Sequence, residues 1–245
     1  ESLHFASFIF ESDRIGRRFA DALARAGARG VAVRLLVDAM GEKYSWPPIR
    51  RYLRGAKGVE VARFLPLRSG AYFNLRNHRK VLIADGRVAM TGGMNIRDLH
   101  LVKETPPKTA VSDLHFRVDG PVVTDLQRVF LEDWFFVTGD LLDRESLFPL
   151  LEPAGTSTAR SIGDGPDHDM RKIHWILLGA LAAARRDVRI MTPYFIPDRP
   201  LLAAMGAAAL RGVSVTLLLP GHNNLPYMKW AGQAYLWELL QVGIR

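Results

Sequence analysis

The chain has 245 residues, enough for one large domain or two smaller ones, and its 48% apolar and 24% charged content is ordinary for a globular protein. A net charge of +8, carried by 26 arginines against 7 lysines, calls for an anionic partner: phospholipid head groups, a membrane surface or nucleic acid. The lack of cysteine excludes disulfides, thiolate catalysis and cysteine-ligated zinc. No apolar run approaches the ~18 residues of a membrane span, and the longest is Trp175 to Ala184.

Leu3 to Phe10 reads as a buried strand, and Ser12 or Asp13 can cap a helix whose apolar face carries Ile15, Phe19, Leu23 and Ala26. Val31 to Val37 is apolar without alternation, the mark of a parallel strand covered on both faces. Asp38 to Pro48 is then a loop at a strand's carboxyl end, where such sheets make ligand contacts. Ile49 to Gly55 reads as a short helix and Val59 to Phe64 as another strand, so the class is α/β. The loop from Leu65 to Asn77 brings Arg68, Tyr72 and Arg76 towards the next element, either as a basic approach to a site or as solvated side chains.

That next element organises the chain. Val81 to Ala84 is a buried strand, Asp85-Gly86 signals a two-residue turn, and Val88-Ala89-Met90 returns. Such a turn sets Ala84 opposite Arg87, Lys80 opposite Thr91 and His78 opposite Gly93. Alternation puts His78 and Lys80 on one face and Arg79 and Val81 on the other. Gly92, Gly93 and Asn95 fold back beside them, the glycines leaving room for a substrate. A neutral imidazole is a nucleophile that an anionic phosphodiester does not repel, and Lys80 and Asn95 can hold non-bridging oxygens as charge builds. A fixed ammonium takes a divalent metal's place, so no cofactor is expected. Asp85 lies in the turn and reads as structural. The plainer alternative is a basic hairpin with a core histidine.

Ile96 to Ala110 reads as a mobile loop and Asp113 to Val118 as a strand. Asp113 is a candidate to orient the imidazole, or simply a strand end; His115 is left out of the mechanism. Pro121 to Val137 reads as a helix packed through Val122, Leu126, Val129, Phe130 and Trp134. Residues 1–138 are thus expected as a first domain, 139–158 as a linker and 159–245 as a second domain. In the latter, Ala159 to Gly163 reads as a short strand and Asp167 to Arg186 as a helix with Met170, Ile173, Leu177 and Leu181 facing in. His168, Asp169 and His174 read as structural.

The second half repeats the first. Val188 to Asp198 parallels Leu3 to Asp13, Arg211 to Leu219 mirrors Arg29 to Val37, and Leu239 to Arg245 echoes Leu53 to Glu60, at an offset near 182 to 185 residues.

His78-x-Lys80 followed by Asp85, with Gly92-Gly93-x-Asn95, resembles the HxKx4D motif of the phospholipase D superfamily. Asn74 to Lys80, Gly92 to Ile96, Tyr194 to Pro200 and Trp230 to Tyr235 resemble bacterial cardiolipin synthases more narrowly. The resemblance implies mixed, largely parallel sheets flanked by helices in two pseudo-repeated domains, the second incomplete here. With the reading of the hairpin, it makes His78, Lys80, Asp85, Asn95 and Asp113 the expected catalytic residues, while the hairpin and its approach loop offer Gly92, Gly93 and Arg76 as substrate-binding ones. It further implies a motif histidine that attacks phosphorus, and a second motif's histidine that protonates the leaving group. Added to His78, the offset places that second histidine beyond Arg245, and no other His-x-Lys exists here. A fragment lacking part of each end is the expectation, inactive alone unless a homodimer completes the site.

The leading function is a phosphatidyltransferase that condenses phosphatidylglycerol with a phosphatidyl acceptor. The implied place is the cytoplasmic face of a bacterial inner membrane, peripheral for these residues. A hydrolytic phospholipase D, a nuclease or an inactive module bound to anionic membrane are the alternatives. Nucleic acid is disfavoured, because no basic stripe interleaved with aromatics is visible.

Overall fold

A computed structural model describes residues 1–65, 76–142, 145–164, 171–221 and 225–245. The chain divides into two compact units, Glu1–Ser161 and Ile162–Arg245.

The first unit is built on a six-stranded mixed sheet in the order β3-β2-β1-β4-β5-β6. Strands β1 (Ser2–Ser7), β2 (Ala32–Asp38) and β3 (Val59–Phe64) run parallel. Strands β4 (Val81–Ala84), β5 (Val88–Gly92) and β6 (His115–Asp119) continue the sheet antiparallel. Helix α1 (Arg14–Ala28) starts where the Asp13 carboxylate accepts the Gly16 amide at 2.8 Å.

Both faces of the sheet are covered, which is why β2 reads apolar without a period. Val33, Leu35 and Val37 pack with Phe5, Phe10, Ala20 and Leu23 on the α1 side. Leu36 turns the other way and packs with Ala6, Val81, Ile83 and Ala89 against Phe130 and Trp134 of helix α2 (Val122–Thr138). His4 faces α2 as well; it is fully buried, stacks on Phe130 at 4.9 Å between ring centroids, and meets Gln127 through Nδ1.

The second unit holds α3 (Lys172–Ala183), β7 (Asp187–Met191), α4 (Arg199–Leu210), β8 (Ser214–Leu218) and α5 (Pro226–Gln241). Its strands pair in parallel, as β1 and β2 do. The likeness reaches the caps: Asp198 accepts the Leu201 amide at 3.1 Å, as Asp13 does for α1 at an offset of 185. Leu217 donates to the Arg245 carbonyl at 2.7 Å and Arg245 to the Val215 carbonyl at 3.1 Å. Those are the bonds that a third parallel strand makes on entering the sheet.

Four expectations change. Leu142, Leu147, Phe148 and Leu151, inside the expected linker, pack into the α2-side core, since their apolar side chains have an open sheet face to cover. Ala159 to Gly163 forms no strand and pairs with neither β7 nor β8. Ile49 to Gly55 holds only a short 3-10 turn at Ile49–Arg51. In α3 only Leu181 is buried, while Ile173 and Leu177 are exposed. Arg68, Tyr72, His168, Asp169 and Met170 lie outside the described residues.

Candidate active site

The segment 76–80 runs extended into β4 and is anchored from two sides. Asp38, the last residue of β2 and 1% exposed, accepts the Asn77 amide at 3.0 Å. Its other oxygen accepts the Met40 and Gly41 amides at 2.8 and 3.2 Å. From α2, Asp133 accepts the Asn77 side-chain amide at 2.7 Å, and both its oxygens accept Arg79 Nη1 at 2.7 and 2.8 Å. Asn77 and Arg79 therefore turn towards α2, and the alternation sends His78 and Lys80 the opposite way.

His78 and Lys80 meet there. Lys80 Nζ lies 3.2 Å from His78 Nδ1 and donates to the His78 carbonyl at 2.6 Å. Lys80 is buried and His78 is exposed. Phe8, just past the end of β1, lies against both, with its ring centroid 4.6 Å from the imidazole and 5.3 Å from Nζ. Burial lowers the Lys80 pKa to about 8 against the pull of Asp113 and Asp38. Although the residue as a whole is exposed, desolvation of the imidazole packed on Phe8, then the neighbouring Lys80 charge, holds His78 below its ordinary value. A neutral imidazole beside an ammonium is thus the neutral-pH state.

The hairpin differs from expectation by one residue. The turn hydrogen bond from Arg87 to the Ala84 carbonyl is present at 2.9 Å, with Asp85 and Gly86 at φ 55° and 63°. Yet the ladder pairs Ala84 with Val88 and Val81 with Thr91, so Arg87 is an extra residue on the returning side. Thr91 still reaches Lys80, donating its hydroxyl to the Lys80 carbonyl at 3.0 Å.

Gly92 and Gly93 leave room for protein rather than for substrate, because β6 runs alongside. A Cβ on Gly93 would stand 2.3 Å from both Asp113 carboxylate oxygens, and one on Gly92 would stand 3.0 Å from His115 Nδ1. Asp113 is exposed and accepts the Leu114 amide at 2.7 Å; its charge is felt by Lys80. The carboxylate whose charge is felt by His78 is Asp38. Asn95 accepts the Ile9 amide at 3.1 Å through Oδ1, and its own backbone amide donates to His100 Nε2 at 3.2 Å. Arg76 is half-buried two residues before His78.

Asp85 is not brought to this group. It sits past the far end of β4, about 17 Å along the chain from Lys80, where it accepts the Ser2 amide at 2.7 Å and ties the turn to β1. Phe8, Asp38, Asp133 and His100 escape the sequence reading. Asp38 stood at a strand's carboxyl end, which was a usable signal; the other three are joined to the site only by folding. Among the described residues no group of His, Asp and Glu side chains is arranged to hold a metal ion.

A family model described as "Cardiolipin synthase, PLD-like domain" matches residues 1–134 and 177–245. The cardiolipin synthase of Geobacillus thermodenitrificans (strain NG80-2) is 35% identical over 250 residues, covering 99% of this chain and 49% of that protein. The cardiolipin synthase of Clostridium perfringens (strain SM101 / Type A) is 33% identical over 254 residues, covering 99% and 52%. The chain thus spans about half the length of the curated relatives it matches. The solved phosphatidylserine synthase of Haemophilus influenzae Rd KW20 superposes with a TM-score of 0.63 over 98% of this chain and 63% of its own, at 13% identity, a likeness of fold alone. The family match runs through most of both units, and the chain belongs to the cardiolipin synthase family of phospholipase D-like domains.

Proposed function

We propose that the chain carries one half of the catalytic apparatus of a phosphatidyltransferase of cardiolipin synthase type, with His78 as its nucleophile. The observation that supports this reading most is the contact of Lys80 Nζ with His78 Nδ1 at 3.2 Å, beside Phe8. While the ammonium donates to Nδ1, the neutral ring keeps its proton on Nε2 and cannot attack. An anionic phosphodiester draws Lys80 onto its non-bridging oxygens and releases Nδ1 to take the proton. The Nε2 lone pair is then free.

Attack on phosphatidylglycerol forms a nitrogen–phosphorus bond and breaks the bond from phosphorus to the glycerol oxygen. The glycerol alkoxide takes a proton from a general acid. In the second step the hydroxyl of another phosphatidylglycerol attacks, its proton passes to that same group as base, and the nitrogen–phosphorus bond breaks to give cardiolipin. Lys80 and the Asn95 carboxamide, which the Ile9 amide holds by its oxygen, steady the charged oxygens. Asp113 holds its charge near Lys80 and so keeps the ammonium protonated.

The general acid belongs to a second His-x-Lys motif, which this sequence does not contain. It comes from further chain or from a second copy in a homodimer, and general acid–base help is worth roughly a hundred- to ten-thousand-fold. The site works on phospholipid at the cytoplasmic face of a bacterial membrane, reached peripherally by these residues. No helix among the described residues is long and apolar enough to cross a membrane.

The test is incubation with phosphatidylglycerol vesicles, measuring cardiolipin, phosphatidic acid and glycerol, with His78→Ala alongside. Cardiolipin and glycerol that vanish in the variant support the transferase. Phosphatidic acid in place of cardiolipin makes the enzyme a hydrolase. Products that persist in His78→Ala sink the reading.

A further inference from the structure

One surface next to the site has no part in the chemistry just described. Residues 39–58 leave β2 and expose Tyr44, Trp46 and Tyr52, with Trp46 79% exposed. Each ring has a guanidinium over it: Arg51 lies 4.5 Å from the centre of Trp46, Arg17 5.2 Å from Tyr52 and Arg97 5.9 Å from Tyr44. The only acid within this stretch, Glu42, is buried and taken by Arg50 at 2.9 Å and Arg63 at 2.7 Å. The stretch therefore shows solvent the positive charge of Lys43, Arg51, Arg54 and Lys57 with no exposed carboxylate of its own.

We infer that this arginine–aromatic surface docks on an anionic lipid bilayer. Trp and Tyr combine an apolar ring with a polar edge and settle at the level of the head groups. Arginines among them meet lipid phosphates. This stretch does interleave basic residues with aromatics, which the sequence reading did not expect; a nucleic acid would need ring faces for base stacking, and here a guanidinium occupies a face of each ring. A second copy of the chain would set like charge against like.

The surface is joined rigidly to the reacting pair. Gly41 packs so closely on Phe8 that a Cβ there would stand 1.6 Å from the Phe8 carbonyl oxygen, and the Phe8 ring lies against His78. On the other flank, Arg97 follows Asn95 by two residues and is fixed by Glu11 at 2.9 Å. Ser45 and Pro47 are tied to Ser12, whose amide and hydroxyl donate to them. Docking on Trp46 thus brings His78 to the head groups. The inference rests on the proposed function for its purpose, but its test does not require turnover.

The experiment is co-sedimentation of the 245-residue chain with vesicles of equimolar phosphatidylglycerol and phosphatidylcholine, and with phosphatidylcholine vesicles alone. The chain is expected to bind the mixed vesicles and to bind phosphatidylcholine far less. Arg17→Ala and Arg51→Ala should each weaken mixed-vesicle binding about fivefold, and Tyr44→Ala with Trp46→Ala about tenfold. These side chains are exposed, so unchanged circular dichroism and urea midpoints are expected to accompany the loss. His78→Ala should bind like wild type. The inference is overturned by a wild-type chain that ignores the mixed vesicles, by variants that bind them undiminished, or by equal binding to phosphatidylcholine. It is overturned equally if the same substitutions abolish binding to single-stranded DNA and leave vesicle binding intact. Lipid products that persist in His78→Ala, with docking intact, would count against the transferase alone.

Discussion

At the scale of single residues, the site depends on two proton equilibria that burial has moved in the same direction. Turnover needs His78 neutral and Lys80 charged. The rate should rise with pH through a His78 value below the ordinary imidazole range and fall as Lys80 deprotonates near pH 8. Lys80→Arg, which does not titrate in this range, should erase the alkaline fall while lowering the rate; an alkaline limb that survives would show that another group controls it. Away from the site, burial holds His4 near pKa 4, with the Gln127 hydrogen bond opposing and Arg34 assisting. Its folded value lies below the unfolded one, so the neutral ring's contribution is complete above about pH 6.5 and is lost as pH falls towards 4. The loss is on the order of 3 kcal/mol. Urea midpoints should drop over that window in wild type and stay flatter in His4→Gln.

At the scale of elements, the site is a short extended segment held between a strand end and a helix. Asp133 accepts from both Asn77 and Arg79, and burial raises its pKa despite the arginine. Asp133→Asn should cost about 2 kcal/mol, given that Arg79 is partly solvated. It should also lower kcat, because His78 and Lys80 lose the backing that sets their direction. A variant with full activity and unchanged stability would show that Asp38 alone seats the segment. Gly93→Ala probes the other flank. The new methyl group meets the Asp113 carboxylate at 2.3 Å and must displace it. Turnover should fall about tenfold or more, with the Lys80 limb moving to lower pH as the nearby negative charge recedes.

For the whole molecule, the second unit repeats the strand–helix–strand opening of the first, down to the capping aspartates Asp13 and Asp198. In the first unit that opening is followed by the His78 segment and its hairpin. In the second, Arg245 exchanges backbone hydrogen bonds with Val215 and Leu217 of β8. A chain extended through a second His-x-Lys motif should turn over phosphatidylglycerol at least a hundredfold faster than residues 1–245. Equal rates for the two would show that the half-site suffices or that two copies already complete it, and gel filtration separates those cases.

Whatever depends on neighbours along the chain was already readable from the residues in order. The unpatterned run of β2, the turn at Asp85-Gly86, the opposed faces of His78 and Arg79, and the duplication follow from periodicity and local dihedral preference. Those are short-range effects, so they were legible without a fold. What depends on elements meeting at long range came only from the packed fold. It placed Phe8 on His78 and Lys80, Asp38 and Asp133 behind them, and Asp113 over Gly93, while leaving Asp85 at the other end of its strand. The hairpin register differs from the two-residue reading by one residue, Arg87, while the local turn hydrogen bond stays intact. Strand alternation can say which way a side chain points; only the packed sheet and helix decide what it meets there.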